Sequence, residues 1–257
     1  MTVETRAQHS NAPHTWVAVA DLHGHPTQFA SLLHQLDAFY GEEYTLVTLG
    51  DYVDNGPDIP GLLDALIQLR SERPTRFIPI LGNHDLACLR ALGWPHDAPD
   101  PAWFRRWSSS YWNPGGSTAA AYGAGNATAL AEKMPAHHKA FLRSLPWYYD
   151  TGRYLFVHAG MLSGPLGPQR AALAHKLLPE NPLYLPHPIR LKALATVDDP
   201  DWERVVVSGH TKRPGHNTPH SPNLLGENRI CLSAELDAGG ALYAVALPSR
   251  KIWSVDA

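Results

Sequence analysis

Short apolar runs alternate with stretches whose apolar positions recur at helical spacing through the first third of the chain. "TWVAVA" (15–20) is a compact run that predicts a strand. "PTQFASLLHQLDAFYG" (26–41) follows, with Phe29, Leu32, Leu33, Leu36 and Phe39 on one helical face, Pro26 at its start and Gly41 at its stop. "YTLVTL" predicts a second strand, "DIPGLLDALIQLR" a second helix and "RFIPIL" a third strand. Strands and helices alternating in this way predict a layered α/β fold with crossover helices.

Between Gly93 and Gly125 the pattern breaks. Trp94, Trp103, Trp107 and Trp112 fall among Pro, Ser and Gly, which marks 93–125 as an inserted cap. A helical pattern returns at "AHHKAFLRSL", a strand at "YLFVH" and a helix at "GPQRAALAHKLL", followed by the proline-rich connection "PENPLYLPHPIR". "RVVVSGH", "RICLSAEL", "ALYAVAL" and "KIWSV" then predict strands in succession. There is no internal repeat and no low-complexity tail. At 257 residues and 44% hydrophobic content the chain can bury a large core, so one domain over 1–257 is expected.

Charge and composition narrow the partners. A formal net charge of −3 gives no strongly basic face, so nucleic acid is not an expected partner. The opening "MTVETRAQHSNAPH" lacks the apolar centre of a secretory signal and no later run is long enough to span a bilayer, so a cytoplasmic location away from membranes is expected. Cys88 and Cys231 lie far apart and form no metal-binding or redox spacing, and read as small buried hydrophobes; a disulfide between them stays open.

The chemistry sits where apolar runs stop. "VAVADLHGH", "VTLGDYVDNG", "IPILGNHDL", "LFVHAG" and "VVVSGHT" each place Asp, Asn or His at a strand end with glycine alongside, and in α/β sheets such ends open onto the ligand crevice. Asp21 and His23 are two apart in an extended segment, so they project to the same side. Asp51, Asn83, His158 and His210 add a carboxylate, an amide oxygen and two imidazoles. A mixed oxygen and nitrogen set without thiolates suits Mn, Fe or Zn, and six ligands with one bridging carboxylate suffice for two ions. Any one of these motifs alone reads as a turn or a satisfied polar group. Five in the same context point to one site.

In their order, "DLHGH", "GDYVDNG", "GNHD", "VHAG" and "GHT" resemble the signature of the calcineurin-like metallophosphoesterases, in particular the phosphoprotein phosphatase superfamily. "GGSTAAAYG", "LPWYYD" and "RICLSAELDAGGALYAVAL" are similar to bacterial serine/threonine protein phosphatases, which extends the likeness over nearly the whole chain. The resemblance implies a four-layer fold of two mixed β-sheets flanked by helices. It also implies that Asp21, His23 and Asp51 hold one metal and Asp51, Asn83, His158 and His210 the other, with manganese first among the candidates and iron or zinc behind it. By the same resemblance His84 is the general acid and Asp54 the carboxylate that orients it. The physical logic is that a departing alkoxide needs a proton, while two metals lower the pKa of a water and clamp an in-line displacement. No phosphoenzyme is needed.

The sequence also departs from that pattern. Asn55 and Leu81 stand where phosphoprotein phosphatases commonly carry arginine, and Asp85 where they carry glutamate. Arginine clamps phosphate with two hydrogen bonds, and neither replacement supplies its charge. "LGNHDL" also resembles the symmetrical dinucleoside tetraphosphate hydrolases, which share the metal site. Arg190 in "HPIRL" falls about where bacterial relatives place a phosphate-binding arginine, with Pro188 in the position of a tryptophan; its alternative is a solvated loop arginine. Lys212 and Arg213 have the same two readings. Trp103 and Trp107 share a helical face with Tyr111, so packing of the cap is the first explanation, and stacking of a base or aryl leaving group by Trp107 or Trp112 the second. His25 reads as structural.

The expected function is dinuclear-metal hydrolysis of phosphomonoesters, of the bacterial serine/threonine protein phosphatase type, acting on phosphorylated protein or small phosphate esters. A dinucleoside tetraphosphate hydrolase or phosphodiesterase is the alternative, and an inactive phospho-ligand binding module the second. The sequence leaves the oligomeric state open.

Overall fold

The computed structural model describes residues 14–109, 118–181, 183–215 and 221–257. The first half runs β1 (Thr15–Val19), α1 (Pro26–Tyr40), β2 (Tyr44–Thr48), α2 (Ile59–Glu72), β3 (Phe77–Pro79), α3 (Asn83–Ala91), α4 (Pro101–Trp107), α5 (Thr118–Ala121), α6 (Ala127–Lys133) and α7 (Ala136–Ser144). The second half runs β4 (Tyr148–Asp150), β5 (Tyr154–Val157), α8 (Leu166–Ala174), α9 (His187–Arg190), β6 (Val205–Ser208), β7 (Leu224–Leu225), β8 (Arg229–Cys231), β9 (Ala241–Leu247) and β10 (Lys251–Asp256).

Two five-stranded mixed sheets result. The first has the order β10-β9-β1-β2-β3, with β1, β2 and β3 parallel and β9 and β10 antiparallel. The second has the order β4-β5-β6-β8-β7, with β5, β6 and β8 parallel and an antiparallel strand on each edge. Helical segments connect β1 to β2, β2 to β3 and β5 to β6, as parallel pairs with crossovers require.

Side-chain alternation along the strands builds the layers. Ala18, Ala20, Val47, Leu49 and Ile80 face Tyr154, Phe156, Val207, Ile230 and Leu232 in a dry layer between the sheets. Val17, Val19 and Leu46 point the other way and pack with Phe29, Leu32 and Leu36 of α1 and Leu62, Leu63 and Leu66 of α2. Burying each such side chain contributes roughly 1.5–3 kcal/mol before conformational entropy is counted. Asp58 opens α2 by accepting the Gly61 N–H at 2.8 Å, the N-cap arrangement that the "DIPG" stretch encodes.

The Trp-rich segment supplies α4, which packs against α3. Asp100 caps it by accepting the N–H groups of Ala102 and Trp103. Trp103, Phe104 and Trp107 are buried, so packing is the right reading for Trp103 and Trp107 and the aryl-stacking reading of Trp107 is not. Tyr111 and Trp112 lie outside the described residues. Both cysteines are buried and free. No helix among the described residues is long and apolar enough to cross a membrane. α3 lies outside the helices that the periodicity predicts, because it begins inside the "GNHD" motif and its first turn carries Asn83, His84 and Asp85.

Candidate metal centre

The C-terminal ends of β1, β2, β3, β5 and β6 meet at one cavity of about 770 Å³. Asp21, His23, Asp51, Asn83, His84, Arg190 and His210 line it. His158 lies fully buried against Asp51 at its base, with Nε2 3.3 Å from the Asp51 carboxylate. The structure therefore brings these eight residues together around one cavity.

The backbone is bent to make this possible. His23, Asp51, Asp54, Asn55 and His210 all have positive φ, between 39° and 68°, a region that Asp, Asn and His tolerate better than other side chains do. Gly82 lies against the Asp51 turn: a methyl on it would sit 2.1 Å from Asp51 Oδ1, so only glycine fits. Asp85 ties the same turn down. Its Oδ2 accepts the N–H groups of Asp51 and Gly82 and its Oδ1 those of Tyr52 and Val53, at 2.9–3.3 Å.

The imidazoles are fixed by their outer nitrogens. His23 Nδ1 is 3.0 Å from the Val53 carbonyl and His158 Nδ1 2.6 Å from the Leu49 carbonyl, which turns each Nε2 inward. His210 is held the other way round, Nε2 against the Arg190 carbonyl at 2.8 Å, so Nδ1 is its inward nitrogen. Such outer-nitrogen bonds are how metal-ligating histidines are held. His158 Nε2 and Asn83 Oδ1 are 2.9 Å apart, and Asp21 Oδ1 accepts the His210 N–H at 2.9 Å.

Two clusters have potential ligand atoms within 4.8 Å of one another: Asp21, Asp51, His158 and His210, and His23, Asp51 and His84. Asp51 belongs to both, the position a bridging carboxylate requires. Electrostatics match a cation site. Burial pushes Asp21 up to about 6. Burial also works against the Asp51 carboxylate, but His158, His84 and His23 outweigh it and hold Asp51 well below the usual range. His158 is raised to about 9 because Asp51 and Asp21 outweigh its burial, while burial and then His158 push His210 down to about 3. A buried carboxylate pair that draws protons onto a neighbouring imidazole is a pair short of positive charge. These residues fit divalent cations.

A calcineurin-like phosphoesterase family pattern matches residues 15–226. The chain belongs to that family. A calcineurin-like phosphoesterase is a metal-dependent phosphoester hydrolase, and the donor set at the strand ends is where its divalent metals can be held. The solved structure of a putative diadenosine tetraphosphatase resembles the chain with a TM-score of 0.58 at 20% identity, over 96% of this chain and 95% of that one. A protein serine/threonine phosphatase from Saccharomyces cerevisiae resembles it with a TM-score of 0.51 at 12% identity, over 97% and 82%. Both likenesses show the fold. The zinc-dependent endopolyphosphatase of Saccharomyces cerevisiae is 28% identical over 76 residues, 30% of this chain and 22% of that protein.

Within the second cluster, His84 Nδ1 lies 2.8 Å from Asp54 Oδ2. Asp54 is fully buried and holds three further donors: the Trp107 indole N–H on Oδ2 at 2.6 Å, and the Thr118 hydroxyl and N–H on Oδ1 at 2.6 and 2.9 Å. Burial works against a charged His84, but Asp51 first and Asp54 next outweigh it and raise its pKa to about 9. The roles of Trp107 and Thr118 were not legible as motifs. The one available signal is the general rule that a buried indole N–H needs an acceptor.

The departures also resolve. Leu81 is fully buried and cannot touch a ligand; Asn55 lines the cavity. Arg190, Lys192, Lys212 and the exposed Tyr184 line the same cavity. Lys212 pairs with Asp237 at 3.1 Å, whereas Arg213 turns away to Glu235. His25 Nδ1 bonds the Leu22 carbonyl.

Proposed function

We propose that this phosphoesterase hydrolyses phosphomonoesters at a dinuclear centre, with Asp21, His23 and Asp51 toward one ion, Asp51, Asn83, His158 and His210 toward the other, and manganese the ion that best suits the donors. The single observation that carries the reading is the His84–Asp54 pair beside the shared carboxylate Asp51. Two divalent ions in such a centre supply Lewis-acid charge for in-line displacement at phosphorus. Asp54 holds Nδ1 of His84 and stabilises its charged form, and Nε2 gives its proton to the departing oxygen. Trp107 and Thr118 keep the Asp54 carboxylate from rotating. Arg190, which lines the cavity, takes a non-bridging phosphate oxygen in place of the arginines that Asn55 and Leu81 replace. The substrate class is a phosphoserine or phosphothreonine ester.

A second reading has its own observation. Arg190, Lys192, Lys212 and Tyr184 line the same cavity, a set that suits a polyphosphate chain ending in a stacked base. The putative diadenosine tetraphosphatase with the same fold fits this reading.

The test is a rate comparison on manganese-loaded protein with a phosphoserine peptide, an aryl phosphomonoester, an aryl phosphodiester and diadenosine tetraphosphate, with Asp51→Asn as the blank. Dominant monoester turnover supports the first reading; dominant dinucleotide turnover replaces it with the second. Metal binding with no turnover on any of the four would make the chain a phospho-ligand binding module.

A further inference from the structure

Away from the cavity, Asp64 on α2 meets His137 and His138 at the start of α7. His138 Nε2 lies 2.8 Å and His137 Nε2 3.1 Å from the same oxygen, Asp64 Oδ1, and the two rings are 4.3 Å apart. Consecutive helical residues normally diverge by about 100°. Here both imidazoles turn onto one carboxylate of another helix.

Three features separate this cluster from an ordinary surface ion pair. The three donor atoms lie within 4.8 Å of one another, and the 2.8 and 3.1 Å separations approach the roughly 3.3 Å edge of a tetrahedral shell with ligands at 2.0–2.2 Å. His138 is 1% exposed, and its other nitrogen, Nδ1, is 2.6 Å from the Tyr122 hydroxyl. That bond fixes the ring and leaves Nε2 as the donor facing Asp64, the outer-nitrogen support seen at the catalytic histidines. Asp64 and His137 are exposed, so an ion can enter from solvent and keep a water as its fourth ligand. The hydrogen bond from His138 also holds the Asp64 carboxyl below its ordinary range, in the ionised form that ligation needs.

We propose that Asp64, His137 and His138 form an additional divalent-metal site, separate from the catalytic centre, that takes zinc or a similar borderline cation and clamps α7 to α2. Two imidazoles and a carboxylate without thiolate favour Zn, Co, Ni or Cu over Mg or Ca. The clamp also reaches the catalytic machinery by a short route. Tyr122 donates its backbone N–H to the carbonyl of Thr118, whose hydroxyl holds Asp54.

The test measures zinc bound per chain at micromolar free zinc for the wild type, Asp64→Asn and His137→Ala, with anomalous scattering at the zinc edge to locate each ion. Both substituted side chains are exposed, so the fold is retained. The site predicts one zinc fewer per chain in each variant, scattering between the two helices in the wild type, and affinity at that position weakened about 10- to 100-fold by Tyr122→Phe. Equal zinc content in all three proteins, with scattering at the strand-end centre only, overturns the proposal.

Discussion

The Asp85 carboxylate accepts the backbone N–H of Asp51 at 2.9 Å, so the residue that departs from the phosphatase pattern at this position is the one that sets the central carboxylate. The same side chain takes three more N–H groups, from Tyr52, Val53 and Gly82. Asp85→Asn would turn an NH2 group toward two of those donors. We expect a loss of about 1–3 kcal/mol of stability for each buried donor left unpaired, together with weaker metal retention. Urea denaturation and metal content after dialysis check both.

Trp107 donates to the same oxygen of Asp54 that holds His84. Trp107→Phe keeps the packing and removes that bond, which is worth about 1.5–3 kcal/mol when one partner is charged. The expected result is a fall in kcat on the order of tenfold for alkyl phosphates. Activated aryl phosphates, whose leaving groups need no proton, should be nearly unaffected. A uniform fall across a graded series of leaving groups would count against a role in the acid.

If Arg190 takes a phosphate oxygen, Arg190→Ala should raise KM for a phosphoserine peptide about 10- to 100-fold. Arg190→Lys should recover only part of that, because an ammonium cannot offer two parallel N–H donors. Steady-state kinetics on both variants separates this role from that of a solvated loop residue.

Asp150 offers a pH prediction remote from the metals. Burial works to raise its pKa, but the Gly152 N–H and the guanidinium groups of Arg204 and Arg170 outweigh it and hold it below the usual carboxylate range. A depressed folded-state pKa contributes stability above the unfolded value of about 3.9, and that contribution is lost as pH falls through the lower folded value. Asp150→Asn should therefore destabilise the protein near neutrality and flatten the acid limb of its urea midpoint against pH.

Ala18 fills the layer between the sheets, opposite large side chains from the second sheet. Ala18→Leu adds volume where neither sheet can retreat, and should cost about 1–3 kcal/mol by thermal denaturation.

Much of the fold was legible because its strands and first two helices carry clean periodicity. β1, α1, β2 and α2 fall within two residues of their sequence-based positions. Asp21, His23, Asp51, Asn83, His158 and His210 were legible as candidate donors because they follow apolar runs with glycine nearby, whereas His84 and Asp54 were given roles by the family resemblance alone. α3 was not legible, because its first turn spends Asn83, His84 and Asp85 on the site and its apolar face is short. Nor could the sequence reveal that Trp107 and Thr118 share a carboxylate with a loop more than fifty positions earlier, since that contact depends on how α4 and α5 fold back. Asp64, His137 and His138 look like ordinary polar positions on two unrelated helices until α2 and α7 pack side by side.

The indole of Trp107 also limits how this enzyme can breathe. Were α4 to swing outward as a gate, it would pull the tryptophan off Asp54 and disconnect the proton donor at the moment a substrate arrived. Tyr184, Leu191 and Lys192, which also line the cavity, are exposed and carry no part of the acid. Movement of α4 and the state of the acid are thus tied together through one indole nitrogen.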